Sequence, residues 1–285
     1  MLDPELSEPK DKARRRMHGG IRWAEFDPVR LSDRQAHSIR LTAILEWSAM
    51  PTAEMLPRDN ELEVDPSAFF SIWFLEEQKF TLLLLEYLRR FAPEHFPTEE
   101  ELAAARFSFD PAPPLDSLAL HACRKHRLHQ WYLCASDHHA EPVIRQIYAS
   151  LAEDEARHAR TYLEHMKLAL MLKPAQASEA FTRIGILMMN ARPDKAMHPA
   201  SPHADEASYL QDIANARLSD PRWLESWLSR EINFDTHWES RVEAEILGFF
   251  SALFSTPLKD VKELQKLRSL LVAPALAEPA FTGTR

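Results

Sequence analysis

Glycine is scarce in this chain of 285 residues. Only five occur, at positions 19, 20, 185, 248 and 283, and none lies in a phosphate-cradling loop pattern, which excludes Rossmann-type and P-loop nucleotide sites. Cysteine is scarcer still. Cys123 and Cys134 fall in one expected helix, about 16 Å apart along its axis and too far to pair, so nothing demands an oxidising compartment. Basic residues are outnumbered, 34 Lys plus Arg against 43 Asp plus Glu for a net charge of −9. That balance argues against a broad phosphate-binding surface, and so against nucleic acid as a partner. No apolar run approaches the roughly 20 residues of a membrane span. The opening segment MLDPELSEPKDKARRRMHGG lacks the apolar core of a secretory signal, and its acids speak against a transit peptide. A soluble, cytoplasmic protein is the expectation.

What the chain has in quantity is helical periodicity. Residues 1–31 are polar and proline-punctuated and are expected to form a loosely packed arm, with Trp23 and Phe26 anchoring its end. From Ser32 or Asp33 as cap, Ile39, Leu41, Ile44, Leu45 and Trp47 recur at helical spacing, and this first helix is expected to reach Pro57 if it survives Pro51. Asp65 and Pro66 open a second helix to about Ala92, apolar on nearly every side and therefore central. A short helix follows Thr98, whose next three residues are glutamates placed at the positive end. Long helices are then expected from Asp116 or Ser117 to Asp137 and from Glu141 to Leu172, with further helices near 175–191, 203–217, 220–255 and 258–271. No strand-like alternation competes. The expected fold is all-α, a helical bundle with a four-helix core over residues 33–172 inside one domain, 32–273, additional helices over 175–271, and a loose tail at 274–285.

Chemistry concentrates in two helices. In LAEDEARHARTYLEH, residues 151–165, Glu155 and His158 lie three apart and point the same way. A carboxylate beside an imidazole suits iron or manganese, while Asp154, Arg157 and Arg160 offer an ordinary charge network instead. The second helix carries Glu76 and Glu77 inside FFSIWFLEEQKFTLLLL. Carboxylates in such apolar surroundings need a metal, a cation or a shared proton, and Lys79 or an arginine from another helix is the plain alternative to a metal. Glu46 and Glu77 are each eleven residues from the intervening turn segment, which puts them at one level in antiparallel helices. The same reckoning from Glu155 lands near Cys123 in HACRKHR, where no carboxylate stands and His121, Cys123 or His126 would be the substitutes. Glu239 and Glu243, near Arg230 and Arg241, fit a solvated helix face, with His237 an outlying ligand candidate.

The segments IWFLEEQKFTLLLLEYLRRF and LAEDEARHARTYLEH resemble the two iron-ligand helices of the ferritin-like di-iron carboxylate superfamily, most nearly its soluble acyl-carrier-protein desaturases. The resemblance covers residues 35–170. It implies Glu46, Glu77, Glu155 and His158 as metal ligands, and one or two iron ions that activate dioxygen to oxidise a substrate held beside them. Two positions depart from the pattern. Phe80 stands where the family has its first histidine, and Ala122 stands where spacing places the third-helix carboxylate. The departures leave a rewired two-metal site, a single metal, or a metal-free bundle.

The resulting expectation is an iron-dependent oxidoreductase acting on an apolar or acyl substrate, with an apolar small molecule or an acidic acyl carrier protein as partner and a homodimer as the assembly. Tyr162, Phe70, Trp73 and Phe74 would line its cavity, or serve simply as core. The competing expectation is a metal-free ferritin-like protein with a structural or binding role. A regulatory helical protein that holds a small apolar ligand is a third.

Overall fold

The computed structural model describes residues 20–47, 67–104, 113–190 and 237–272. Eight α-helices are found there: α1 Asp33–Glu46, α2 Ser67–Phe91, α3 Glu99–Ala104, α4 Pro114–His138, α5 Pro142–Leu172, α6 Pro174–Asn190, α7 Trp238–Phe254 and α8 Val261–Val272. No strand occurs among the described residues. The fold is an all-α bundle, ferritin-like in having a four-helix core (α1, α2, α4 and α5) with additions after it. Helix α4 lies along α5, and α1 along α2, while α6, α7 and α8 pack outside. The expected passage of the first helix through Pro51, the helix at 203–217, the first part of that at 220–255 and the tail fall outside the described residues.

Local chemistry explains where the helices start. Ser32 Oγ accepts from Gln35 N (3.3 Å), and Gln35 Oε1 accepts from Ser32 N (3.0 Å); this reciprocal box fixes the start of α1 and leaves Asp33 in the first turn. Thr98 and Glu101 repeat the device at α3. At α5 the capping residue is Glu141, whose side chain accepts from Val143 N and Ile144 N, with Pro142 following at the position where a missing N–H costs nothing. Glu141 also accepts from Tyr87 Oη of α2 (2.9 Å) and from Asp27 N. One buried carboxylate thus ties the entry of α5 to α2 and to the N-terminal segment. The same segment is clamped by Phe26 stacked on Phe91, with ring centroids 3.8 Å apart, and by Trp23 against the same ring. Both anchors expected for the arm make these contacts.

The core register decides what lies inside. Buried positions on α5 run Ile144, Ile147, Leu151, Glu155, His158, Tyr162, Met166 and Ala169; on α2 the inward stripe is Trp73, Glu77, Phe80, Leu84 and Tyr87. Each set steps by three or four residues, the spacing of a single helix face. On α1 the stripe is Ala36, Ile39, Ala43 and Glu46, and on α4 it is Leu118, Ala122, Lys125, Leu128, Tyr132 and Ala135. Every core helix therefore spends at least one inward position on an ionisable group. Outside the core, α6 approaches α7 so closely at Gly185 that a Cβ there would lie 2.6 Å from the Phe250 ring, which leaves no room for a larger residue without repacking.

Candidate metal centre

Glu77, Glu155 and His158 converge at the middle of the bundle. One donor atom from each lies within 4.8 Å of the other two, and the three residues are 4%, 0% and 2% exposed. This is the one group of three or more such residues so gathered among the described residues. Helical spacing delivers Glu155 and His158 together, and α2 supplies Glu77 against α5. His158 Nε2 is held by Glu76 Oε2 at 2.6 Å, while Nδ1 faces Glu77 Oε1 at 3.2 Å and Glu155 Oε2 at 3.5 Å. Neither His158 Nδ1 nor Glu155 Oε2 has a hydrogen-bond partner of good geometry. A carboxylate on the outer ring nitrogen, with the inner nitrogen turned toward buried acids, is how proteins orient a metal-ligating histidine.

Lys125 is the residue that sequence reasoning missed. It enters from α4, 2% exposed, and its Nζ donates to Glu77 Oε1 at 2.6 Å and to Glu155 Oε1 at 3.1 Å, with Glu155 Oε2 at 3.0 Å. Trp73 closes over the ammonium, its ring centroid 5.3 Å away. A lysine was expected near Glu77, but the expected one was Lys79, which instead pairs with Asp154 at 3.0 Å and donates to Ser150. The level reckoned for the facing residue on α4 is one turn early, at Ala122 rather than Lys125. A signal existed in the sequence, since Lys125 falls on the inward stripe of α4 between Ala122 and Leu128.

Burial works to raise the Glu77 carboxyl, yet the Lys125 ammonium and the His158 ring outweigh it and hold it well below the usual range. For Lys125, burial favours the neutral amine, but attraction to Glu155 and Glu77 prevails and keeps it a cation. His158 is treated alike: burial lowers it, while the surrounding carboxylates of Glu155, Glu76 and Glu77 carry it up to about 10. Glu46 sits 8% exposed at the end of α1, and Tyr132 Oη donates to its Oε1. Burial first, then repulsion from Glu77, raises Glu46 to about 7, and the bond from Tyr132 pulls the other way. Glu46 stands outside the close triad, near enough to feel the charges of Glu77 and Glu155.

The remaining candidates go elsewhere. Phe80, fully buried, lies against His158 with ring centroids 6.3 Å apart, an apolar wall where a second histidine would be needed. His121 is buried, not at the surface, and stacks on Tyr162; Cys123 is a buried thiol pushed up to about 12 by desolvation. His126 is turned outward to Glu245 of α7, at 2.8 Å. His237 is exposed at the start of α7, and Glu239 faces Arg127. Of the expected surface network, Asp154 and Arg157 do pair, at 2.7 Å, and Arg157 reaches Glu76 at 2.8 Å.

The donor set fits one divalent cation. Two carboxylates and an imidazole match the mixed oxygen and nitrogen preference of iron or manganese, the imidazole is pre-oriented, and the walls are dry. No second cluster of this kind is found among the described residues. A comparison with protein-family models gives no match, and a search of curated proteins gives none either.

Proposed function

We propose that this protein is a metal-dependent oxidoreductase with a single iron ion held by Glu77, Glu155 and His158, with Glu46 beside them, acting on an apolar or acyl substrate. The observation that carries the reading is the posture of His158, with Nε2 fixed by Glu76 and Nδ1 turned to two buried carboxylates at 3.2 and 3.5 Å. Bound iron would supply the redox electrons and the dioxygen chemistry that no side chain here provides. The chain's own groups have defined tasks. Glu76 holds the imidazole, Phe80 and Trp73 exclude water, and Glu46, poised near neutrality, holds or releases a proton at its carboxyl with Tyr132 as hydrogen-bond donor. The apolar lining selects an apolar substrate, whether free or delivered by an acyl carrier protein.

Metal analysis of protein expressed in iron-supplemented medium tests this, alone and as Glu155→Ala. About one equivalent of iron per chain, lost in the variant, is the expected result. Less than about a tenth of an equivalent, with an unchanged helical spectrum, overturns it. Lys125 favours a second reading, in which the ammonium permanently neutralises the acids and the bundle serves binding or assembly without metal. That second outcome would transfer the chain to it.

A further inference from the structure

The ammonium of Lys125 and the proposed metal want the same atoms. Nζ lies 2.6 Å from Glu77 Oε1 and 3.0 Å from Glu155 Oε2. His158 Nδ1 faces the same two oxygens, at 3.2 and 3.5 Å. A cation bonded to these three donors at about 2 Å would draw on the same carboxylate oxygens that hold Nζ, so the two positive charges compete for the cluster. Burial sharpens the rivalry. With Glu77, Glu155 and Lys125 each at most 4% exposed, no solvent screens the exchange of one cation for another, and two dry carboxylates cannot be left without either.

We propose that Lys125 is a built-in competitor for the metal: its ammonium closes the cluster when metal is absent, and it must withdraw from Glu77 and Glu155 before a divalent cation can bind. The inference takes its biological meaning from the metal reading above, but it predicts a change in affinity that can be measured even if the natural protein is isolated without metal. In that state, Lys125 answers Glu77 and Glu155, and Glu76 answers His158. The trigger for loading is thus a movement of one side chain on α4, the helix that also carries Tyr132, the donor to Glu46.

The test is equilibrium titration of the metal-free full chain with Mn²⁺, and anaerobically with Fe²⁺, for wild type, Lys125→Met, Lys125→Gln and Lys125→Arg. Thermal unfolding is followed with and without metal. Removing the ammonium is expected to tighten metal binding at least tenfold in the Met and Gln variants and to make their melting temperature depend on metal, whereas Lys125→Arg stays within about threefold of wild type. Variants that are unfolded alone but fold on adding Mn²⁺ would support the proposal equally. It is overturned if Lys125→Met and Lys125→Gln bind no more tightly than wild type, or stay unfolded at saturating metal. Wild type without iron but variants that bind it would leave this inference standing and remove the oxidoreductase reading. Wild type with one equivalent and variants no tighter would do the reverse.

Discussion

Two polar clusters flank α4, and they use nearly the same residue types to opposite effect. At the inner one, Glu77 and Glu155 share one ammonium and one imidazole in a space closed to water. At the outer one, Glu245 of α7 accepts on a single oxygen from His126 Nδ1 at 2.8 Å and His129 Nδ1 at 2.7 Å, and its other oxygen takes Gln130 Nε2. The outer acid has three donors to itself and its side chain keeps 22% of its exposure; the two inner acids share two donor groups and keep almost none. Only the inner group gathers three ligand atoms within 4.8 Å. Residue type alone does not make a metal centre; the excess of lone pairs over protons in a dry place does.

The comparison breaks most visibly at Glu155. Glu155→Ala leaves Lys125 with Glu77 as its one remaining close acid, and a loss of about 3–5 kcal/mol in urea unfolding is expected, together with all bound metal. A loss below about 1 kcal/mol would mean that the inner acids are not load carriers at all. Next in size is Glu76→Gln, which keeps shape but weakens the hold on His158 Nε2. Metal affinity should fall roughly 10–100-fold by isothermal titration, while the helical spectrum stays as it was.

At the outer cluster the effect depends on pH. Burial would raise Glu245, but its bonds to His126 and His129 dominate and bring it down to about 2, from 4.5 for an unperturbed glutamate. A folded-state value below the unfolded one adds stability above about pH 4.5, and that contribution is lost as the pH falls toward 2. Glu245→Gln should therefore be less stable than wild type at pH 6 by on the order of 1–3 kcal/mol, discounted for partial exposure, and the gap should close on acidification. A gap that persists unchanged at pH 2 would contradict the assignment. The smallest change belongs to Glu164, exposed on α5 and 2.9 Å from the half-exposed Lys167. Glu164→Gln should cost less than about 0.5 kcal/mol in the same assay, since solvent screens that pair.

These clusters also show how far the sequence could be followed. The starts of α1, α2, α3, α4 and α5 fall within a few residues of those expected, at α1, α3 and α5 because Ser32, Thr98 and Glu141 act on backbone groups next to them in the chain. Glu155 and His158 were legible together for the same reason, being one turn apart on one helix. Glu77 was legible as an anomaly, a charge inside an apolar run. Glu46 rested on counting residues from a turn, and it comes near the other acids without joining the triad.

Lys125 was the residue whose partners only the packing could assign. Its neighbours in the chain, Arg124, His126 and Arg127, make it look like one charge in a basic patch, and one turn of error in level is enough to replace it with Ala122. His126 illustrates the converse: the same patch offered an imidazole of suitable type, and the rotation of α4 carried it to Glu245 instead. What the sequence determined was therefore local: helix identity, caps, and the pairing of groups three or four residues apart, all set by bonds that reach no farther than a turn. What the tertiary structure decided was which cation meets which acid, because a rotation of one helix by a single residue moves a side chain by about 100° around its axis, and only the packing of four helices fixes that angle.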